Sequence, residues 1–172
     1  MKIDSSDFDI FGIVPRHALD RTALDDRWRA LQADVHPDRF ATDPAAGQRV
    51  AMQWAVRVNE AYQRLKDPVK RAAYLCELNG VRIDADTNTA MPTEFLMQQL
   101  DWREALAAAS ELPQVEALAG DVTAHRTAAL SQLGQTLDDH HDYAAAAQQV
   151  RALMFIDRFA HDIDKRLEAL EQ

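Results

Sequence analysis

Apolar residues in this 172-residue chain return every three or four positions almost end to end, and that spacing confines the fold to packed helices. Leu24, Trp28, Leu31 and Val35 form one such stripe. Ala51, Trp54, Ala55, Val58, Tyr62 and Leu65 form a second, and Leu118, Val122, His125, Ala129 and Leu133 a third. The last runs through Leu153, Ile156, Phe159, Ile163, Leu167 and Leu170. Only 5 Gly and 6 Pro interrupt the chain, while Ala, Leu, Gln and Arg, which lose little side-chain freedom in a helix, are abundant. The expected fold class is all-α.

The breaks between stripes set the domains. Phe8, Phe11 and Gly12 mark a short first helix, and Asp20 is placed to cap a second. That second helix stops near His36, because the residue before a proline is pushed out of the α region. Residues 36–44, HPDRFATDP, form a polar loop before the third helix. Asp67 and Pro68 start a fourth as N-cap and first helical residue, and Asn79-Gly80 ends it. The polar, turn-rich stretch that follows predicts a linker over 79–91. Beyond it lie three helical patterns, broken at Leu112-Pro113 and around Asp138–Asp142. Breaks so short make the helices antiparallel neighbours, hence a three-helix bundle over 92–172 behind an N-terminal domain over 1–78.

Charge narrows the partners. Residues 1–80 carry 12 basic and 12 acidic side chains, whereas 81–172 carry 7 and 16, so the second half holds the whole formal charge of −9. An acidic half disfavours nucleic acid and anionic membranes, whose phosphates need a basic face, and suits a protein partner. The single cysteine, Cys76, permits neither an internal disulfide nor a Cys-rich zinc site, and reads as a small buried apolar residue. No stretch approaches the roughly 18 apolar residues of a membrane span, so a cytoplasmic protein is expected.

His36-Pro37-Asp38 is the motif with chemistry in it. Pro37 ends the helix and stiffens the turn. Asp38 offers a carboxylate for a charge-assisted bond to a partner's arginine, and His36 a polar ring to orient the turn or touch the partner. Helix, HPD loop and helix in this order resemble the J-domain, as do the continuation HPDRF and the later Lys70-Arg71-Ala72-Ala73-Tyr74. The resemblance implies a co-chaperone whose loop, with Arg27 and Arg29 on helix two, accelerates ATP hydrolysis by a DnaK-type chaperone. J-domains usually carry more basic residues there; here Asp25, Asp26 and Asp34 dilute the two arginines, which favours a dedicated chaperone partner.

The second half sharpens the resemblance. Phe95-Leu96-Met97-Gln98-Gln99-Leu100-Asp101-Trp102-Arg103-Glu104-Ala105-Leu106 resembles the FLMEQLELREEL-type segment of the HscB family, J-proteins of bacterial iron–sulfur cluster assembly. FGIVPRHALD and QQVRALMFIDR extend the likeness over nearly the whole chain. It implies an HscA-like chaperone and an IscU-like scaffold as partners. Scaffold-binding positions then match at Leu96, Met97, Leu100, Asp101, Glu104 and Phe155, with Asp101 replacing a glutamate and Ala108 standing where a further acid is usual.

Helical geometry examines the same segment independently. With Phe95 at zero, Trp102, Ala105, Leu106, Ala109 and Leu112 fall between about 260° and 20°, and Leu96, Leu100, Glu104 and Met97 between about 100° and 200°. Only one of two opposed apolar faces can serve the bundle core. The other is left as an outward apolar patch with an acidic rim, the anatomy of a protein-binding surface. Phe155 lies about 100° off the core stripe of its helix and joins the outward set.

Asp138-Asp139-His140-His141-Asp142 resembles a metal cluster in composition only, since adjacent histidines in a helix–helix loop rarely converge on one ion. No phosphate loop or nucleophilic constellation is present. The expectation is therefore a non-enzymatic protein with no cofactor and no metal site. Two alternatives differ in kind: a J-domain protein with another client, and a metal-dependent hydrolase using His36, Asp38 and the 138–142 cluster.

Overall fold

The computed structural model describes residues 2–172, and among them it contains helices and no strands. They are α1 (Asp7–Phe11), α2 (Arg21–Val35), α3 (Ala45–Lys66), α4 (Pro68–Leu78), α5 (Thr93–Ala108), α6 (Leu112–Asp138) and α7 (Tyr143–Glu171), with a 3-10 turn at Pro37–Phe40. The all-α expectation holds. The helices group into two compact units, one ending at Tyr74 and the other spanning Leu75–Gln172.

In the first unit α2 and α3 pack as a hairpin, with α1 laid against them. Each start has a local cause. Asp20 accepts from the Ala23 N–H, and Asp67 from those of Val69 and Lys70, so side chains satisfy N–H groups that a helix start leaves unpaired. Gly12 closes α1 at φ +62°, a conformation that costs glycine little. Phe8, Ile10, Phe11, Leu24, Val58, Ala61 and Leu65 form the core. Trp28 of α2 stacks on Tyr62 of α3 at 4.3 Å between ring centroids. The Tyr62 hydroxyl donates to Asp25 at 2.7 Å and Arg21 donates to the same oxygen at 2.9 Å. These two donors, Tyr62 first, hold the Asp25 carboxyl below the usual carboxylate range. Five residues are too few for a self-sustaining helix, and α1 is tethered accordingly. Its fully buried Asp7 lies 2.8 Å from Arg57 and 3.1 Å from Arg64, both on α3.

The second unit is built on α6 and α7. The Glu111 side chain and Gln114 close a capping box at the start of α6, beside Pro113. Four residues separate α6 from α7, so the pair is antiparallel, and Arg126 meets Asp157 across it at 2.7 Å. Val115, Leu118, Val122, Leu133 and Leu137 from α6 interlock with Val150, Leu153, Ile156, Phe159 and Ile163 from α7. α5 adds Phe95 and Trp102.

The segment expected as a linker, 79–91, lies within this second unit. Arg151 of α7 explains its attachment. Its buried guanidinium donates to the carbonyls of Ile83 at 2.9 Å, Ala90 at 3.1 Å and Arg82 at 3.2 Å, and Ile83 is itself buried. Cys76 is fully buried, with its Sγ 3.7 Å from the Tyr143 carbonyl. Burial pushes its thiol up to about 11. A thiol whose native value exceeds its unfolded one stabilises the fold below the unfolded value, and that contribution fades as pH rises from about 9 through 11. At pH 8 iodoacetamide is therefore expected to label the native protein far more slowly than the urea-unfolded chain; equal rates would contradict this burial.

Candidate functional site

The HPD turn begins where α2 can no longer continue. His36 is extended, at φ −61° and ψ 132°, as the residue before a proline must be. Pro37 then opens a 3-10 turn over Pro37–Phe40, within the stretch expected to be a polar loop. The Asp38 N–H donates to His36 Nδ1 at 3.2 Å, and the Arg39 N–H to the His36 carbonyl at 3.0 Å. An accepting Nδ1 places the proton of the neutral ring on Nε2. His36 thus braces the backbone beneath Asp38, whose side chain is 92% exposed. The turn holds a carboxylate out to solvent on a stiff base.

Arg27 and Arg29 on α2 each make a bond within their own unit. Arg27 is exposed, as the sequence implies, and its guanidinium also donates to the Phe11 carbonyl beside Gly12, which ties α2 to the end of α1. Arg29 pairs with Asp26 at 3.1 Å, an exposed contact that competes with water and contributes little stability. Arg39, not singled out beforehand, pairs with Asp34 at 3.1 Å. Its place just after the HPD tripeptide was the available signal.

On α5 the two faces separate as helical geometry predicts. Phe95 and Trp102 are buried, whereas Leu96, Met97 and Leu100 are 42%, 61% and 54% exposed. Asp101 and Glu104 are exposed beside them. Phe155 is a correction. It was expected on the outward surface, but only 7% of it is accessible. Its ring contacts Phe95 at 5.8 Å and Phe159 at 5.8 Å, and the Arg103 guanidinium lies over it at 5.2 Å. The reason is that α7 carries α5 on one side and α6 on another, which widens its buried arc beyond a single stripe. Arg103 was missed because it falls between the two apolar faces of α5.

His125 is half-buried, with Trp102 at 5.0 Å and Phe95 at 5.7 Å. Asp142 of the acidic loop caps α7 by accepting from the Ala145 N–H, and His141 adopts φ +51° in the turn. Among the described residues no three His, Cys, Asp or Glu side chains are grouped to hold a metal ion. No described helix is long and apolar enough to cross a membrane.

Known proteins resemble this chain over nearly its whole length. The co-chaperone protein HscB homolog of Burkholderia multivorans is 48% identical over 99% of this chain and 99% of its own length. The chain belongs to the HscB family of co-chaperones. The HscB homolog of Azoarcus sp. is likewise 48% identical, over 95% of this chain and 94% of its own. Residues 91–164 match the family described as HSCB C-terminal oligomerisation domain. Chaperone HscB from Vibrio cholerae superposes with a TM-score of 0.82 at 35% identity, covering 96% of this chain and 99% of that one. The HscB fold thus accounts for both helical units, and the homologues are named co-chaperones rather than enzymes.

Proposed function

We propose that this HscB-family protein stimulates the ATPase of an HscA-type chaperone through His36, Pro37 and Asp38. In the same reading it delivers an IscU-type scaffold for iron–sulfur cluster assembly or transfer in the cytoplasm. The observation that carries it is the outward patch of Leu96, Met97 and Leu100 on a chain that also exposes an HPD carboxylate. The exposed Asp38 carboxylate, 3.6 Å from the His36 ring, can meet an arginine of the chaperone, a bond that is stronger where water is excluded. Leu96, Met97 and Leu100 bury apolar surface against the scaffold, and Asp101 and Glu104 select a basic border on it. Phe155, only 7% accessible, contributes mainly from beneath, by supporting α5 and Arg103. Arg27 and Arg29, both exposed on α2, are assigned to the same chaperone contact as the HPD loop.

The test is the chaperone's steady-state ATPase rate with this protein and the scaffold, added separately and together. Synergy is expected, because one molecule presents both the trigger and the client; simply additive rates would contradict coupling. Leu96→Ala combined with Leu100→Ala is expected to keep the native melting profile, since both side chains face water. It should weaken scaffold binding by about tenfold or more, the loss of two central apolar contacts. Unchanged affinity in a titration would show that the patch is misassigned.

A further inference from the structure

Beside the α5 patch, α5 and α7 bound an open groove of about 870 Å³ whose floor is Leu106, Phe155 and Phe159. Arg103, Arg158 and Arg166 line its walls. Three of the seven basic residues in the acidic second half thus converge on one depression. Of the two carboxylates also lining it, Asp157 is engaged by Arg126 at 2.7 Å, so the lining holds three arginines and one further carboxylate, Asp162. Two of those cations are positioned in advance. Arg103 is held over the Phe155 ring, and Arg166 donates to the Ala109 carbonyl at 3.3 Å. A partner therefore need not bear the cost of ordering them.

We propose that this groove takes a carboxylate-bearing, partly apolar segment of the scaffold protein; the proposal rests on the scaffold-binding function above and extends its footprint onto α7. The charge pattern supports this occupant. Arg103, Leu96 and Leu100 follow one another around α5, at about 80°, 100° and 140° from Phe95, so the apolar patch is continuous with the groove's edge. Asp101 and Glu104 border the patch, and the arginines lie at the groove. A partner matching both must place basic residues at the first and acidic residues at the second, which fixes its register and excludes the reversed orientation.

The experiment is a titration of purified IscU-type scaffold into the full-length chain at low and at moderate salt. Arg103→Glu with Arg158→Glu should bind about tenfold more weakly at low salt, and added salt should weaken it less than wild type. Arg158→Lys, at the position with no ring beneath it, should stay within about twofold of wild type if charge is what counts. Arg158→Glu alone repeats the test without disturbing the Phe155 contact, and circular dichroism confirms the fold of each variant. If the glutamate variants bind like wild type while the Leu96/Leu100 variant does not, the groove proposal is overturned and the scaffold function stands. If wild type itself fails to bind, both fall together. If sedimentation shows wild-type self-association that the glutamate variants lose, the groove's occupant is a second copy, and the scaffold is overturned in that role.

Discussion

His36→Gln is expected to abolish stimulation of the partner chaperone's ATPase while leaving the protein folded. The ring is over half exposed and fills no part of the core, so its loss should change stability by no more than about 0.5 kcal/mol. Its work is local. Nδ1 accepts the Asp38 N–H and holds the turn in the conformation that displays the carboxylate. Glutamine can reach that N–H only through a longer, unbranched arm, which loses more rotamer freedom than a ring does. Melting curves and steady-state ATPase assays check the two halves separately. Normal melting with stimulation equal to wild type would refute the role assigned to the turn.

Arg151→Met should have the largest effect on stability. Methionine keeps most of the apolar stem but removes every donor, leaving the carbonyls of Arg82, Ile83 and Ala90 without their partner. A hydrogen bond from a charged group contributes about 1.5–3 kcal/mol, and three on one side chain do not add fully. Part of the loss returns as water reaches the exposed Arg82 and Ala90, so a net cost of about 2–4 kcal/mol is expected. Chemical denaturation measures it, and hydrogen exchange should show faster opening over 82–90 than elsewhere. A change below about 0.5 kcal/mol would mean that the clamp is incidental.

These two residues show how far the sequence could be read. The helix starts were legible because Asp20, Asp67 and Pro113 act on their own first turns. The opposed faces of α5 were legible because a helix repeats at a fixed angle. The HPD turn was visible for a similar reason, since Pro37 dictates the backbone of its own neighbour. What escaped were bonds between residues far apart in the chain. Arg27 binds a carbonyl 16 residues away, and Arg151 reaches back 61 to 69. Neither arginine differs, in its local pattern, from one pointing into water. The burial of Phe155 was hidden likewise, because a single helix does not reveal how many neighbours it will touch. Asp7 is the plainest case, a carboxylate in a polar N-terminal stretch that is fully enclosed by two arginines 50 and more residues on.

The internal engagement of α2's cations bears on the kinetics of chaperone recognition. Arg21 and Arg29 are each paired with an aspartate of the same helix, and residues 1–80 carry no net formal charge. A half with no net charge gives little long-range attraction of its own, so association with the proposed chaperone is expected to depend only weakly on salt. Encounter then proceeds at about the unsteered rate of 10⁵–10⁶ M⁻¹s⁻¹. Discrimination shifts from the frequency of collisions to residence time, which is set by the short-range fit around Asp38.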